Sequence, residues 1–521
     1  MHLLKTTVLA LLATVSLAST SIAQDARPVL KVGVEQLPEG LAPGLQLNNV
    51  GQRITYSIFD HLIKRGYWTN ESGDGAELMP SIATEWRNIS PTEWEVDIRQ
   101  GVTFHDGKPL TAEDVAFTFG EQNMWGKDRI VVQGTTYFGN LTDVSVVDAD
   151  TVKFTTVAPD PIFAKRFTAP LGMVVPKDYY LEKGIDGFNL APIGTGPYKV
   201  AEYRQHEILR LVAHDDYWGG TPPAKEVQFI EIPEEAARIS ALINGELDVI
   251  TNVSPDQQSA LSGQPGIVVK PAIIDNTRTL AFNTFAPPMD DVKLRRAIAL
   301  GADRKRVAEA LWGTEGRLPH PLNLPGHGEY YFADRPTIGY DPEEAKRLLS
   351  ESKYNGEELV LRVLEGYYTN YLQAAQILQE MWRDIGINVK IEVRDSGATL
   401  REGTYHLMNA SDGMQVNDPL HPFYTTFGPT APRTAENSKN REWAPPARFW
   451  ELGELLSTTT DIEERKKLFR EALDIFDAEV PEVPLFQAVD YYAMRETVDW
   501  KPYSFFPMDF GPNNLSFKTG H

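Results

Sequence analysis

The 521-residue sequence contains no cysteine. That excludes disulfide cross-links and thiol nucleophiles. Long hydrophobic runs are missing too: past the first two dozen residues, no apolar stretch approaches the ~20 residues that a membrane span needs. Positive charge is scarce. Fifty Lys and Arg stand against 72 Asp and Glu, a net charge of −22. Such a surface repels phosphate backbones, which argues against nucleic acid as a partner. Short catalytic motifs are absent as well, with no GxSxG elbow, HExxH helix or P-loop. His206-Glu207 opens as a zinc-protease helix would, but position 210 is Arg. Gly194-Thr195-Gly196 opens as a dinucleotide loop would, but Pro197 follows and no third glycine completes it, so it reads as a turn. There is no internal repeat and no long low-complexity tract.

What is present is a substantial core. Hydrophobic residues make up 42% of the chain, with ten Trp and twenty Tyr, a composition of folded rather than disordered chains. The amino terminus has the layout of a secretory signal. Lys5 supplies the positive region, Val8-Leu9-Ala10-Leu11-Leu12-Ala13 begins the apolar region, and Ser21-Ile22-Ala23 fits the small-x-small cleavage rule. Export with cleavage before Gln24 is expected; losing residues 1–23, whose only charge is Lys5, moves the net charge from −22 to −23. A mature chain near 500 residues should divide into two or more lobes, because single cores stop growing at ~250–300 residues.

Strands and helices intermix, the pattern of an α/β fold. Leu30–Val34 reads as a first strand, and Trp94–Arg99 alternates apolar and polar residues as a half-buried strand does. Thr111, followed by Glu113 and Asp114, is a helix start. Val144–Val146 and Thr151–Phe154 form a hairpin around Asp148-Ala149-Asp150, and Val227–Ile232 is a strand leading into a helix from Glu234 to Asn244 that Gly245 ends. Asp341-Pro342 with Glu344 is a further helix start. The clearest unit is a βαβ crossover. Leu359–Leu364 is its first strand; Leu372, Ala375, Leu378, Trp382 and Ile385 recur at helical spacing; Gly386 stops the helix and Ile387–Ile391 begins the next strand. Tyr405–Met408 reads as a neighbouring strand. Ligands of open α/β sheets bind beyond the carboxyl ends of the strands, which points to Glu365–Asn370 and to the segment after Met408.

The stretch Glu77–Gly120, with its strand, Gly101 turn, His105-Asp106-Gly107 turn and helix start, resembles the signature region of the family 5 extracellular solute-binding proteins of peptide- and nickel-type ABC importers. Other segments are similar to the same family in the same order: Pro192–Tyr198 to its GTGPY element, Asp216–Gly220 to its Tyr-Trp turn, and Arg238–Asp248 to the helix after the inter-lobe strand. Ala281–Thr284 with Pro287-Pro288 and Leu294–Ile298, then Tyr340–Leu349 and Asp418-Pro419, continue the series. The resemblance implies a two-lobed periplasmic-binding-protein fold with an extra domain on the first lobe and a two-strand hinge. The first lobe is placed at 24–65, 190–280 and 487–521, the extra domain at 66–189 and the second lobe at 281–486. It also implies a non-enzymatic monomer that closes on a solute and docks on a membrane permease driven by an ATPase, with no cofactor and no metal. Without a lipid-modified cysteine, retention after export implies a periplasm bounded by an outer membrane.

At the solute site the sequence departs from the family's dipeptide-binding pattern. Four residues before Pro419, where those members carry an Asp for the peptide's α-amino group, stands Gln415; where they carry an Arg for its carboxylate, Glu365 aligns. An amide can accept a hydrogen bond from an ammonium but does not neutralise it, and a buried unpaired charge is costly. The expected contacts are Gln36, Leu37, Glu365, Tyr367, Tyr368, Asp412, Met414, Gln415 and Asp418. Tyrosines among amides and carboxylates suit a peptide-like, opine-like or oligosaccharide solute. His421, two residues after Pro419, keeps a nickel chelate as an alternative within the family. An exported glycoside or peptide hydrolase and a peptide-holding chaperone are the alternatives outside it; the acidic residues are numerous enough for chance carboxylate pairs.

Overall fold

The computed structural model describes residues 25–45, 48–71, 73–313, 316–364, 369–395 and 399–518. The expected signal segment 1–23 and three expected contact residues, Glu365, Tyr367 and Tyr368, lie outside them. Among the described residues the dominant element is a ten-stranded mixed sheet. From one edge it runs Val389–Arg394, Leu359–Leu364, Leu407–Gly413, Ile267–Phe282, Glu482–Arg495, Val249–Val253, Val29–Val34, Glu226–Glu231, Ile208–Ala213 and Tyr198–Arg204.

Two long antiparallel strands, Ile267–Phe282 and Glu482–Arg495, belong to both halves of this sheet. Their register is interrupted between Ile273 and Thr277, opposite Val489 and Gln487. A local irregularity in a ladder bends and twists the strand that carries it, and this one falls within the two strands that both halves of the sheet share. On one side the core gathers around Leu30, Val32, Phe229 and Met494. On the other it gathers around Leu280, Leu361, Trp382 and Phe486.

The βαβ unit is present: Leu359–Leu364 pairs in parallel with Val389–Arg394, joined by the helix Tyr371–Asp384. The second strand starts at Val389 rather than Ile387, because the Ile387 amide still donates to the Trp382 carbonyl at 2.9 Å and Gly386 turns with φ 93°. The strand expected at 405–408 instead runs Leu407–Gly413. Asn409, Ser411 and Asp412 hide it from a polarity pattern, but its full length pairs with Asn276–Phe282.

A separate four-stranded antiparallel sheet has the order Ala83–Ser90, Glu93–Ile98, Thr151–Thr156, Leu141–Val146. Against it lies the helix Ala112–Phe119, closed by a reciprocal cap in which the Thr111 side chain accepts from the Asp114 amide while the Asp114 carboxylate accepts from the Thr111 amide.

The motif residues meet in one knot. Asp60, fully buried, accepts from Thr195 Oγ1 (2.9 Å), Trp218 Nε1 (2.9 Å), Tyr217 OH (3.1 Å) and Lys64 Nζ (2.5 Å). The His105 amide donates to the Gly194 carbonyl at 2.9 Å, and the Gly194 amide returns a bond to His105 Nδ1 at 3.2 Å. A Cβ on Gly196 would lie 2.5 Å from the Ile58 carbonyl carbon, so glycine is required there for close backbone approach. The Tyr-Trp turn, the GTGPY turn and the signature turn thus fasten the four-stranded unit to the large sheet.

Candidate functional site

At the carboxyl end of Leu407–Gly413 the segment Met414–Asp418 enters the space between the two halves of the molecule. Groups from the opposite side hold it along its length. The Met414 carbonyl accepts from Arg65 Nη1 at 3.2 Å, and the Met414 amide donates to the Asp275 carbonyl at 3.0 Å. Gln415 Oε1 accepts from the Tyr137 hydroxyl. Asn417 Nδ2 donates to the Gly75 carbonyl at 3.1 Å, and Lys165 Nζ donates to the Asn417 carbonyl at 2.9 Å. These contacts describe a closed arrangement.

One cavity touches the segment at Gln415, and a second opens beyond Tyr67 and Tyr503. The smaller, about 20 Å³, is lined by Gln52, Tyr56, His61, Arg65, Tyr67 and Gln415, among others. That is room for about one water. The larger, about 440 Å³, is walled by the long strands around Asp275 and Gln487, by the return segment around Tyr503, and by Arg317 and Gly326 from the far side. This is the size range of small-molecule sites. The Tyr67 and Tyr503 rings, stacked at 4.8 Å, stand between the two chambers.

The electrostatics are unusual for so enclosed a space. Arg65 is 3% exposed and donates to backbone carbonyls: Nε to Gly75 (2.9 Å), Nη2 to Asp74 (2.5 Å) and Nη1 to Met414. No carboxylate lies within ion-pair distance of it among the described residues. Burial pushes the His61 imidazole down to about 3 and His421 down to about 4, so both are neutral near pH 7. Burial raises the Tyr67 hydroxyl to about 12. The Asp275 carboxyl is pushed up by burial to about 6, against the pull of Arg65.

A model of the bacterial extracellular solute-binding proteins, family 5 Middle, matches residues 77–433. The chain belongs to this family. The di/tripeptide-binding protein 2 of Pseudomonas aeruginosa is 27% identical over 512 residues, covering 92% of this chain and 93% of that protein. Two solved structures share the fold. The periplasmic binding protein DppA of Helicobacter pylori, in complex with the peptide STSA, has a TM-score of 0.80 at 22% identity and covers 94% of this chain and 98% of its own. AgaA from A. tumefaciens R10, in complex with agropinic acid, has a TM-score of 0.79 at 21% identity over 95% of this chain and 99% of its own. The fold is therefore the two-lobed periplasmic-binding-protein architecture, and the chain is a solute-binding receptor of the ABC-importer type.

In this receptor the expected contact residues fall into distinct places. Gln415 lines the small chamber, and Met414, 2% exposed, packs beside it. Gln36 is exposed; Leu37 is buried in the core of the first half, its amide donating to Glu231 Oε2 at 2.7 Å. Asp412 points away from both chambers, 3.9 Å from Arg433 in a buried group with Glu482 and Glu442. Asp418 is fully buried, and its oxygens accept from Arg465 (2.7 and 3.1 Å), Lys165 (3.2 Å) and the Leu420 amide (3.0 Å). His421 sits against Tyr137 and Tyr424, and among the described residues no group of three His, Asp or Glu side chains is placed to hold a metal. Sequence reasoning missed Arg65, Tyr67, Tyr137 and Asp275. Only the polar residues Gln52 and Arg53 in the buried helix Asn49–Ile58 signalled that this side faces a polar partner.

Proposed function

We propose that this receptor works in a periplasm after removal of residues 1–23, captures a peptide-like or opine-like solute between its lobes, and delivers it to an inner-membrane permease. The observation that carries this reading is the pair of chambers on either side of Tyr67 and Tyr503, one lined by Gln415 and the other by Arg317 and Gly326, with the remaining walls from the hinge strands and the opposite side. A wall built from two bodies is complete only when they close, so solute binding and closure become one event. The named ligands of the relatives, di- and tripeptides and agropinic acid, set the solute class; the tyrosines would accept an oligosaccharide by the same stacking. The proposed contact set is Gln36, Glu365, Tyr367, Tyr368, Met414 and Gln415, to which Arg65 and Tyr67 are added; Leu37, Asp412 and Asp418 are left out, because each is held inside the protein. The lobes divide at the bounds given above, with the hinge at the register break near Ile273–Thr277. The relatives are binding proteins, and we take the receptor as a non-enzymatic monomer.

The test is native mass spectrometry of the exported protein, followed by a thermal-shift screen with di- to pentapeptides, opine-type conjugates, sugars and nickel chelates. A solute at a hundredfold excess over Kd stabilises by about 2.7 kcal/mol, a readily seen rise in Tm. Gln415→Ala is expected to weaken binding of the responding solute about tenfold. Unchanged affinity in that variant would remove the small chamber from the site, and an intact Met1 terminus would overturn export.

A further inference from the structure

Asp275 lies at the register break of the strand Ile267–Phe282 and is 7% exposed. Its backbone is fully engaged: the amide donates to the Ser504 carbonyl at 2.7 Å and the carbonyl accepts from the Met414 amide. Its carboxylate is not. Oδ1 accepts one long bond from Gln487 Nε2 at 3.3 Å, and Oδ2 has no hydrogen-bond partner. The Ser504 hydroxyl, close enough to draw the Asp275 pKa down, gives its hydrogen to the Gly73 carbonyl at 2.9 Å. Three of the nearby cations are committed elsewhere, while Arg317, exposed, stands in the opposite wall of the same chamber. Arg65 donates to carbonyls, Lys270 donates to the Trp500 carbonyl at 2.7 Å and faces Asp499, and Lys501 donates to the Asn70 carbonyl. An unpaired buried carboxylate costs several kcal/mol unless it is neutralised or finds a cation. This one lines the 440 Å³ chamber beside Gly326, where an added Cβ would lie 2.9 Å from Asp275 Oδ2.

We propose that Asp275 is the anchor for a positively charged group of the solute, a primary ammonium or a guanidinium. This rests on the receptor reading above. It also resolves the charge problem posed by Gln415: the neutralising carboxylate is supplied by the hinge strand instead of by the segment before Pro419. Because the anchor sits at the register break, engagement of the solute's cation acts directly on the hinge.

The groups facing Asp275 are Arg65, Asp74 and, across the chamber, Glu71, Lys270, Arg317 and Lys501. Burial pushes Asp275 itself up to about 6, between pH 5 and 7. A cationic solute should therefore bind about tenfold more tightly at pH 7 than at pH 5, as the carboxyl ionises.

The experiment compares the wild-type protein and Asp275→Asn against matched probes, each amine-bearing peptide of two to five residues paired with its N-acetylated counterpart, plus guanidinium compounds, sugars and dicarboxylates. Tm shifts and titration calorimetry are read at pH 5 and pH 7. The expected result is a preference of tenfold or more for the free amine or guanidinium in the wild type, a tenfold gain from pH 5 to 7, and loss of both in Asp275→Asn. If amine-free probes bind the wild type as well as cationic ones, or if Asp275→Asn keeps the preference, the anchor is elsewhere and only this inference fails. If no probe stabilises the wild type, the receptor reading fails and takes the inference with it. The wild-type pH profile decides the matter even if the variant folds poorly.

Discussion

A single carboxylate, Asp418, shows how an Asp-Pro motif residue can be held by the protein's own cations. Its position before Pro419 suggested the solute, yet Arg465, Lys165 and the Leu420 amide take up its oxygens. Burial alone would raise its pKa; the two cations outweigh burial and hold it at about 2. A folded-state value below the usual 3.8 means that the pair stabilises above about pH 4 and that its contribution is lost as pH falls towards 2. Removing the charge leaves Arg465, 2% exposed, without its counter-ion, a change that costs about 3–5 kcal/mol. Asp418→Asn is therefore expected to lower the denaturation midpoint strongly while the folded fraction keeps its preference among solutes. A variant of normal stability but altered choice of solute would instead return Asp418 to the solute site. The buried histidines add a second dependence on acid. His61 and His421 stay neutral in the folded state down to about 3 and 4 but take up protons near 6.5 when unfolded. Stability should therefore begin to fall as pH drops below about 6.5, and Tm measured from pH 8 to 5 in the absence of solute checks this.

Among elements, the turns proved more informative than the strands. Gly194 and Gly196 could be read as a turn, but their reason is the close passage of Ile58 and Phe59. Gly196→Ala would drive a Cβ against that backbone, and neither side can retreat as a flexible side chain would. An overpacking cost of about 1–3 kcal/mol is expected, measured by urea denaturation, with the His105 and Asp60 knot loosened; a variant of wild-type stability would show that the approach is not tight. Helix caps such as Thr111 and Asp341 and the alternation in Glu93–Ile98 were legible because the periodicity and capping that encode them are local. The hinge strands were not legible in full. Ile267–Phe282 runs through Pro271, Asp275, Asn276 and Arg278, and its pairing with Glu482–Arg495 joins residues some two hundred positions apart. The site was hidden for the same reason. Arg65 sits in an ordinary Ile-Lys-Arg strand, and nothing local tells that it will meet Met414 across the molecule.

At the scale of the whole receptor, affinity is set by the solute contacts and by the fraction of molecules ready to close. The four-stranded unit and the far lobe share an apolar core that joins Phe163 and Phe167 to Phe423 and Phe427, and polar latches cross the same divide. Two latches lie outside both chamber linings: Lys165 donates to the Asn417 carbonyl and pairs with Asp418, and Asn417 donates to the Gly75 carbonyl. Each bond exists only when the lobes are together, so each biases the equilibrium towards closure without touching solute. Apparent affinity falls in proportion to the binding-competent population, and a hydrogen bond with a charged donor is worth about 1.5–3 kcal/mol. Lys165→Met combined with Asn417→Ala is therefore expected to weaken solute binding about tenfold or more while leaving the preference among solutes unchanged. Small-angle scattering should show the wild type contracting at saturating solute, and the double variant reaching the same contracted radius only at higher solute concentration. If the variant binds with wild-type affinity, the latches merely accompany closure. If it binds weakly and also changes its choice of solute, the divide between latch and site drawn at Gln415 and Asn417 is in the wrong place.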